Sequence, residues 1–366
     1  MFKYIKEMIN IFKQTSFEGL VRYIAYKQAI NLNFSLINRK SNSVKLILLG
    51  SGTYAASILL PSMSIAKILP NHIISKSNIS ANNLSNAWGL KNSDFSIENI
   101  KHRDFNSDAL VIATPHETHQ EYIEIALDKN IYAYCEKPVA IDKTGIIKLN
   151  NLLSKHPDNN RIMIGFNRRF SPAISKIMDL DFIANRKKPL ELTYRINFGK
   201  RIQNSMSNIY SGGGRLIGAG CHYTDLINYI INSEIKDIYA VSGSDENTFS
   251  AVINFFDLSI ATIIFTSEGN RDFDYKEEIS ISSSGHMIKI NDFKKLKING
   301  KTTNISKNTY GAVNAMQKFS MSIKNCNKVP ISLADGILAT SITLAIQESI
   351  NTKSKINFSN YMETMN

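Results

Sequence analysis

The sequence predicts an α/β protein with a doubly wound parallel sheet in its N-terminal part, followed by an α+β domain with a mostly antiparallel open sheet. Three patterns lead to this prediction. An apolar run ends in a glycine turn, strands and helices alternate as far as about residue 165, and short runs with period-two alternation follow. With 366 residues and 43% hydrophobic composition, the chain is long enough to bury two cores.

The glycine turn follows the apolar run 44–49, which has the length of a strand buried on both faces. The first glycine allows a tight turn, the second lets a ligand approach the backbone, and an alanine takes the third small position. Because the next helix would present its N-terminus to a pyrophosphate, the turn predicts a dinucleotide site. The residues assigned to it are Gly50, Gly52, Thr53, Tyr54 and Ala55.

A helix over 54–68, which Pro61 complicates but does not exclude, and a strand over 73–77 complete a βαβ unit. Dinucleotide sites hold the adenosine ribose with an acidic residue about 20 positions beyond the glycines, whereas a cation there accommodates a 2′-phosphate. Ser75 and Lys76 occupy this place. They favour NADP over NAD, although Lys76 can equally be an exposed lysine at a strand end.

Alternation of strands and helices then continues and places polar residues after three successive strands. The predicted elements are strand 109–113, helix 117–128, strand 131–135, helix 143–155 and strand 161–165. Because ligands bind beyond the carboxyl ends of parallel strands, the residues after each strand are expected to form one site. These are Thr114, Pro115 and His116, then Glu136, Lys137 and Pro138, then residues 166–170.

Five motifs, in this order and at this spacing, resemble the glucose-fructose oxidoreductase, inositol dehydrogenase and MocA family, written Gfo/Idh/MocA. The motifs are GSGTYA at 50–55, ATPHETH at 113–119, EKP at 136–138, GFNRRFSP at 165–172 and GGGRLIGAGCHYTD at 212–225. The resemblance runs from about residue 44 to about residue 358. The residues of the last motif are most similar to those of the family branch associated with bacterial surface-polysaccharide enzymes.

The resemblance implies a Rossmann domain over 44–166 and, over 167–366, an α+β substrate and oligomerisation domain whose C-terminal helices return to the Rossmann side. It implies an NAD(P)-dependent dehydrogenase that transfers a hydride between nicotinamide and a carbinol carbon of a sugar, nucleotide sugar or cyclitol. A homo-oligomer, dimer or tetramer, is expected. The implied cofactor residues beyond the glycine turn are Thr114, Pro115, His119, Glu136 and Lys137, and the implied substrate residues are Lys137, Asn167, Arg169, Arg215 and His222.

Oxidation of a secondary alcohol needs a proton acceptor and a group that stabilises the developing alkoxide. Lys137 can help with both tasks, and the imidazole of His222 exchanges a proton near neutral pH, so these two are predicted as the proton-transfer pair. On a helix predicted over 222–232, Asp225 shares a face with His222 and could orient it. Alternatively, the lysine is solvated, the histidine is a packing residue and Asp225 caps a helix.

Two acids that occur in the family are absent. Many members carry an aspartate where this chain has Gly218, and the polysaccharide-associated branch often has a glutamate where this chain has Ala219. The lysine and histidine can then act alone, recruit Tyr194 or Tyr223, or belong to a protein with reduced activity. The second functional hypothesis is therefore a cofactor-binding regulator or scaffold in a glycan-assembly complex.

Arg168 and Arg169 offer planar donors that suit carboxylate or phosphate oxygens, which favours an acidic sugar or a nucleotide sugar as substrate. Either arginine can instead be held in an ion pair between domains. Arg215 is a similar candidate, because it follows the glycines at 212–214, which suggest a flexible or closely packed loop over the ligand.

The second half of the chain predicts a mostly antiparallel sheet with one buried face, because its short runs alternate with period two. The predicted strands are 190–197, 237–242, 249–255, 259–266, 277–282 and 286–290. Two helices follow near 311–325 and 333–349, and Ser332 is the expected N-cap of the second.

The cysteines, hydrophobicity and charge of the chain indicate its compartment and exclude several classes of protein. The three cysteines, Cys135, Cys221 and Cys326, form no CxxC pair, so disulfides and a thiolate metal site are not expected and the cytoplasm is the predicted compartment. No apolar run approaches the ~20 residues of a membrane-spanning helix, and no cleavable signal is visible. The net charge of +12 is scattered and no nucleic-acid-binding motif accompanies it, so nucleic-acid binding is not expected.

Residues 1–43 form a basic extension before the family-like part, with seven Lys and Arg against two Glu. Apolar residues recur at helical spacing over positions 2–12, which predicts an amphipathic helix. Such a helix can lie on an anionic membrane surface. Packing on its own domain or on a partner subunit is the preferred interpretation.

Overall fold

The computed structural model describes residues 2–30, 32, 44–92, 108–157, 159–199, 212–243, 248–269 and 275–365. The chain divides into two compact units. Unit 1 comprises Met1–Glu136, Leu152–Asn167 and Gly311–Leu333, and unit 2 comprises Lys137–Asn151, Arg168–Tyr310 and Ala334–Asn366. Within the described ranges, none of the helices combines the length and apolar character needed to cross a bilayer.

Two helices, α1 (Phe2–Gln14) and α2 (Phe17–Lys27), form the described part of the N-terminal extension. The hydroxyl of Ser16 accepts the Gly19 N–H at 3.0 Å and so caps α2. Helix α2 packs on its own unit, because the buried guanidinium of Arg22 donates to the Ala87 carbonyl at 2.8 Å and lies over the Trp88 ring. Contact between this extension and a membrane surface stays a prediction.

Unit 1 contains a six-stranded parallel sheet in the order β3-β2-β1-β4-β5-β6. Its strands are β1 (Leu46–Leu49), β2 (His72–Ile74), β3 (Lys91–Asn92), β4 (Ala109–Ile112), β5 (Tyr132–Cys135) and β6 (Ile162–Ile164). The helices of this part of the chain are α3 (Leu60–Ile65), α4 (Asn78–Trp88), α5 (His119–Asp128) and α6 (Lys143–Lys155). The sheet confirms the predicted doubly wound architecture, and its strand order reverses between β1 and β4, where such sheets bind ligands.

Pro61 changes the helix that follows the glycine turn. A proline has no N–H and its ring clashes with the carbonyl four residues earlier in a regular α-helix. The turn Ala55–Leu59 is accordingly a π-helix, in which the Leu60 N–H bonds to the Ala55 carbonyl, and α3 continues from it. Helix α4 has no counterpart in the sequence prediction, because its asparagines and serines have low helix propensity.

The described residues of unit 2 contain a nine-stranded sheet in the order β14-β13-β12-β11-β7-β10-β9-β8-β15, and among these strands only the β7–β10 pair is parallel. Its strands are β7 (Glu191–Asn197), β8 (Ile235–Ser242), β9 (Phe249–Phe255), β10 (Ile260–Thr266), β11 (Glu277–Ser283), β12 (His286–Asn291), β13 (Lys295–Ile298), β14 (Lys301–Asn304) and β15 (Ile356–Asn357). The central strands alternate buried and more exposed residues. This confirms the predicted, mostly antiparallel sheet with one buried face.

The helices of the second half differ in which unit they join. They are α7 (Pro172–Met178), α8 (Asp181–Ala184), α9 (Gly214–Ile231), α10 (Ala312–Lys324), α11 (Leu333–Thr352) and α12 (Phe358–Glu363). Helix α10 belongs to unit 1, where Phe319 packs edge-on against Tyr134 with ring centroids 5.6 Å apart. Nearly all of α11 belongs to unit 2, where the Thr224 hydroxyl of α9 donates to the Ala339 carbonyl of α11 at 2.9 Å.

Helix α9 is longer than the predicted helix 222–232, because it begins at Gly214. Glycines in a helix interior lower helix propensity, and the glycines at 212–214 predict a loop. Tertiary packing overrides that preference. A Cβ on Gly220 would lie 2.8 Å from the Thr343 side chain, so the glycine allows α9 and α11 to approach closely.

Candidate active site

The glycine turn lies after β1, in unit 1, and two of its glycines serve different needs. Gly50 has φ +99°, and a Cβ there would stand 2.3 Å from the Ala113 carbonyl oxygen, so only glycine fits between β1 and β4. Gly52 is exposed, and a Cβ there would meet nothing within 4 Å. Thr53 and Tyr54 are exposed beside it, whereas Ala55 is buried. The turn therefore leaves open space beside its own backbone.

Ser75 and Lys76 follow β2 and stand where the adenosine ribose is expected. The Ser75 hydroxyl accepts a hydrogen bond from the Ser51 hydroxyl at 2.8 Å, while Lys76 is exposed. No carboxylate occupies these two positions. The structure thus places a hydroxyl that is held against the glycine turn and an ammonium that is accessible to solvent at the end of this strand.

The segment after β4 is held by its own side chains. His119 is completely buried, and its Nε2–H donates to the Thr114 carbonyl at 3.0 Å. The Thr118 hydroxyl lies 2.7 Å from both the Thr114 hydroxyl and the Pro115 carbonyl. Thr114 is buried and Pro115 is exposed. His119 therefore shapes this segment from beneath, and of the three predicted cofactor residues here Pro115 has the most accessible surface.

Glu136 follows β5 and Asn167 follows β6, and these are the last two predicted polar residues that lie in unit 1. Both are buried, and a Cβ on Gly165 would come within 3.0 Å of the Glu136 carboxylate. Among the described residues, the Asn167 side-chain oxygen is buried and has no hydrogen-bond partner. A buried polar atom of this kind usually has a water or ligand partner, so it marks a place for a bound group.

Lys137 and His222 are brought to the same face of α9 in unit 2. The buried ammonium of Lys137 donates to the Gly218 carbonyl at 2.9 Å. Gly218 and His222 are one helical turn apart, so they share a face of α9. The ammonium also acts on the neighbouring thiol: burial raises the pKa of Cys221 to about 12, and Lys137 opposes that rise. The Lys137 ammonium therefore lies one helical turn before His222, and the proton-transfer role of the two residues stays a prediction.

Asp225, predicted to orient His222, binds Arg169 instead. The Nε of Arg169 donates to both carboxylate oxygens at 3.0 and 3.1 Å, and its Nη2 donates to one of them at 2.6 Å. The same Nη2 donates to Asp335 at 3.1 Å, and the guanidinium lies over the Tyr229 ring. Because these contacts occupy Arg169, the structure favours the ion-pair interpretation over substrate contact, with the pair inside unit 2 rather than between domains.

Arg168 is held in a second buried ion pair. Its Nε and Nη2 donate to the two oxygens of Glu277 at 2.8 and 2.6 Å, and the Tyr194 hydroxyl donates to the same carboxylate at 2.6 Å. Burial raises the pKa of Tyr194 well above its ordinary value. Tyr194 is therefore a poor replacement for the missing acids. Sequence reasoning missed Glu277, although period two places it on the buried face of β11 beside Ile279.

Arg215 is only partly buried, and its guanidinium lies 5.8 Å from the centre of the Phe198 ring. The role of Arg215 as a substrate residue stays a prediction. Asp335 is the other residue that the sequence prediction missed. It lies three residues beyond Ser332, in the first turn of α11, where an acidic residue commonly stabilises the helix N-terminus, so its position gives no sign of an ion pair with Arg169.

A nicotinamide dinucleotide fits the residues present in unit 1. The open space beside Gly52 can accommodate a pyrophosphate. After β2, the Ser75 hydroxyl and the Lys76 ammonium stand in place of an acid. The buried Asn167 side-chain oxygen can accept a hydrogen bond from a bound group. The described residues contain no group of three or more His, Cys, Asp or Glu side chains that could hold a metal ion. The three cysteines are free thiols.

Comparison with known proteins agrees with these features. Residues 44–166 match the GFO_IDH_MocA family model, described as "Oxidoreductase family, NAD-binding Rossmann fold". The chain is 25% identical over 162 residues to the uncharacterized oxidoreductase YrbE of Bacillus subtilis (strain 168), which covers 44% of this chain and 46% of that protein. It is 22% identical over 272 residues to an inositol 2-dehydrogenase of Rhizobium meliloti (strain 1021), which covers 68% of this chain and 80% of that protein.

The fold is also similar to that of solved structures. A levoglucosan dehydrogenase in complex with NADH and levoglucosan superposes with a TM-score of 0.73 at 18% identity, which covers 86% of this chain and 99% of that one. At this identity the likeness concerns the fold. The match to YrbE spans about half of that relative's length.

Proposed function

We propose that this chain, whose residues 44–166 belong to the Gfo/Idh/MocA family of NAD-binding oxidoreductases, is an NAD(P)-dependent dehydrogenase. The reaction is hydride transfer between nicotinamide and a carbinol carbon of a sugar, nucleotide sugar or cyclitol. The observation that carries the proposal is the hydrogen bond from Lys137 to the Gly218 carbonyl, because Gly218 lies one helical turn before His222 in α9.

The cofactor supplies the hydride acceptor or donor, and the protein supplies binding and proton transfer. In the direction of oxidation, His222 accepts the hydroxyl proton of the substrate, and the positive charge of Lys137 stabilises the alkoxide that develops. The Gly218 carbonyl fixes the lysine side chain, so its charge is already in place before the reaction. Residues of the glycine turn, with Ser75, Lys76, Pro115 and Glu136, hold the dinucleotide.

A turnover assay tests this proposal. The purified protein is mixed with NAD or NADP and a panel of cyclitols, sugars and nucleotide sugars, and the absorbance of the reduced nicotinamide is followed. We expect Lys137→Ala and His222→Ala each to lower kcat by about 100-fold or more, because each removes a group that acts in the transition state.

Lys148→Ala and His286→Ala are the matched controls, since both positions lie in unit 2 and outside the site. We expect both controls to keep wild-type turnover. Wild-type activity in Lys137→Ala or His222→Ala would contradict the assigned roles, and absence of turnover in the wild type across the panel would contradict the dehydrogenase proposal.

For the cofactor we propose a preference for NADP. The support is Lys76, exposed at the end of β2, and the neighbouring Ser75 hydroxyl, in positions where a carboxylate would repel a 2′-phosphate. We expect a lower Kd for NADPH than for NADH in fluorescence titrations, and Lys76→Glu to reverse that order. A lower Kd for NADH in the wild type would overturn the preference.

For the substrate we propose a sugar or nucleotide sugar of surface-polysaccharide biosynthesis. Its support is the amino-acid sequence of the 212–225 motif and the partly exposed guanidinium of Arg215, which suits a phosphate or carboxylate. Within the panel, nucleotide sugars should give a higher kcat/KM than uncharged cyclitols, and Arg215→Gln should raise KM mainly for the charged substrates. Equal kcat/KM for both classes would count against this choice.

A catalytically reduced regulator or scaffold of a glycan-assembly complex is the alternative function. It is favoured by Gly218 and Ala219, which stand where the family resemblance implies acidic residues, and by the hydrogen bonds between Asp225 and Arg169. For such a protein we expect cofactor binding without turnover. The Lys137→Ala and His222→Ala variants would then have no activity to remove.

For partners we propose a homo-oligomer, formed through the outer face of the unit 2 sheet. Tyr239, Val241, Ile260 and Ile264 are 37–48% exposed there, more apolar surface than a solvated sheet face needs. Tyr239→Lys with Ile260→Lys should shift the protein to monomers in sedimentation experiments. We place the protein in the cytoplasm, in keeping with its free thiols.

A further inference from the structure

The N-terminal helix α2 lies directly against the elements that shape the glycine turn, although it precedes residues 44–166. A Cβ on Gly19 would stand 2.7 Å from the ring of Pro61, so α2 touches the helix that follows the turn. Arg22 reaches Ala87 near the end of α4, whereas Tyr26 reaches Ser80 near its beginning at 3.3 Å. Helix α2 therefore runs antiparallel along α4 and ends at the glycine turn.

The Tyr26 hydroxyl binds the glycine turn itself. It donates to the carbonyl oxygen of Ser51 at 2.9 Å, and the Ser80 hydroxyl donates to the same oxygen at 2.9 Å. Ser51 is 3% exposed and stands between Gly50 and Gly52. One carbonyl at the centre of the turn thus receives two hydroxyl donors, one of them from outside the family-like part of the chain.

This carbonyl fixes the direction of an amide that the cofactor needs. The peptide group that joins Ser51 to Gly52 is planar and trans, so its N–H points opposite to its C=O. Because Tyr26 and Ser80 hold the C=O on the inner side of the turn, the Gly52 N–H is turned the other way. Gly52 also borders open space, which suits the approach of a pyrophosphate oxygen to the turn.

The side chain of Ser51 extends the same network to the ribose position. Its hydroxyl lies 2.8 Å from the Ser75 hydroxyl and 2.9 Å from the Ser80 hydroxyl. Since the Ser80 proton is already directed to the Ser51 carbonyl, Ser51 can donate to Ser75, and the Ser75 proton is then not needed for these bonds. The network consequently links α2 both to the phosphate turn and to the end of β2.

We propose that Tyr26 is a positioning residue for the adenosine diphosphate half of the nicotinamide cofactor, so that the N-terminal helix pair is a working part of the cofactor site. The inference rests on the proposed function for the identity of the ligand. It differs from simple packing of α2, because packing alone would not make cofactor affinity depend on one hydroxyl group.

The test compares two substitutions on the same helix in the full chain. Tyr26→Phe removes the hydroxyl that binds the turn, and Tyr23→Phe, the matched control, removes a hydroxyl that donates to Glu7 at 2.5 Å. Calorimetry gives the Kd for NADPH, NADH, ADP-ribose and nicotinamide mononucleotide, and thermal unfolding gives Tm. We expect Tyr26→Phe to raise the Kd of the two dinucleotides and of ADP-ribose by about two- to tenfold, the range of one net hydrogen bond.

The Kd of nicotinamide mononucleotide should stay unchanged in Tyr26→Phe, and Tyr23→Phe should bind all four ligands as the wild type does. Ser80→Ala removes the second donor to the same carbonyl and should raise the ADP-ribose Kd in the same way. Unchanged affinities in Tyr26→Phe, or equal losses in both tyrosine variants that follow Tm, would overturn the inference.

These results separate the inference from the proposed function. If the wild type binds dinucleotide and turns over substrate while Tyr26→Phe binds equally well, only the positioning role of Tyr26 fails. If the wild type binds dinucleotide with the predicted dependence on Tyr26 but shows no turnover, the dehydrogenase proposal fails and the inference stands. Absence of dinucleotide and ADP-ribose binding in the wild type would overturn both.

Discussion

Arg168 and Arg169 are neighbours in the chain, and each binds a carboxylate whose side chain is completely buried, yet the two carboxylates differ in pKa. Burial acts to raise the pKa of Glu277, but Arg168 and Lys276 outweigh it and lower the pKa to about 2. For Asp225, burial raises the pKa to about 7, Arg169 only partly offsets the rise, and Asp335 adds to it.

The difference follows from the number of charges on each side of the pair. Glu277 has two cations nearby, since the Lys276 ammonium lies 3.4 Å from it, and it also accepts the Tyr194 hydroxyl. Among the described residues, Asp225 contacts one cation, Arg169, which it shares with Asp335, and Arg168 adds only a weaker lowering influence. Similar distances between guanidinium and carboxylate therefore do not give similar ionisation. The local sum of charge and the number of donors decide it.

The largest expected effect is that of removing the Glu277 charge. Glu277→Gln leaves Arg168 buried without a counter-charge, so we expect the free energy of unfolding to fall by about 3–5 kcal/mol. Urea unfolding measures it. The control is Glu278→Gln, the next residue, whose partly exposed ion pair with Lys289 should be worth about 1 kcal/mol or less. Equal losses in the two variants would show that the buried pair has no special weight.

Asp225→Asn should cost less than Glu277→Gln. Its carboxylate already has a pKa near neutrality, and Asp335 remains as a counter-charge for Arg169. We expect a loss of about 1–3 kcal/mol in urea unfolding at neutral pH, the range for a disturbed hydrogen bond to a charged group. A loss greater than that of Glu277→Gln would contradict the charge-count explanation.

The two sites should also give opposite slopes of stability against pH. Glu277 contributes stability that is complete above its ordinary pKa of 4.5 and is lost as the pH falls towards about 2. Asp225 does the reverse, because its folded form binds a proton that its unfolded form releases, so its contribution falls as the pH rises from 3.8 to about 7.

Unfolding titrations of the wild type and both variants across this pH range measure these slopes. Relative to Asp225→Asn, the wild type should lose stability as the pH rises through the upper window. Relative to Glu277→Gln, the wild type should lose its additional free energy of unfolding as the pH falls from 4.5 towards about 2. Parallel curves for all three proteins would exclude both contributions.

The smallest expected effect belongs to Lys276, whose side chain is 39% exposed and therefore screened by solvent. Lys276→Gln removes the second cation near Glu277. We expect the acid loss of stability to start at the same pH but to end at a slightly higher pH, and the free energy of unfolding to change by less than about 1 kcal/mol. An effect as large as that of Glu277→Gln would mean that Lys276, rather than Arg168, holds the carboxylate ionised.

Much of the fold could be predicted because its patterns are local. The strand Phe249–Phe255 agrees with its prediction to the residue, since alternation with period two needs no knowledge of distant residues. The strands Lys295–Ile298 and Lys301–Asn304 were not predictable in the same way, because they lie at the polar edge of the sheet and β14 is exposed at every position. Helix α9 was predicted too short, because the close approach that Gly220 permits depends on Thr343 in another helix.

In the candidate site, too, local sequence patterns predict some features and tertiary packing decides the others. The sequence by itself determined the glycine turn and the ends of the parallel strands, because short-range spacing and apolar runs set them, whereas the approach of Lys137 to Gly218 joins residues 81 positions apart. Only the tertiary structure decided that Asp225 and Glu277 bind the two arginines and that Tyr26 reaches the turn. Glu277 lies 109 positions from Arg168, and the partner of a buried charge is chosen by the packing of distant segments and the local sum of charge.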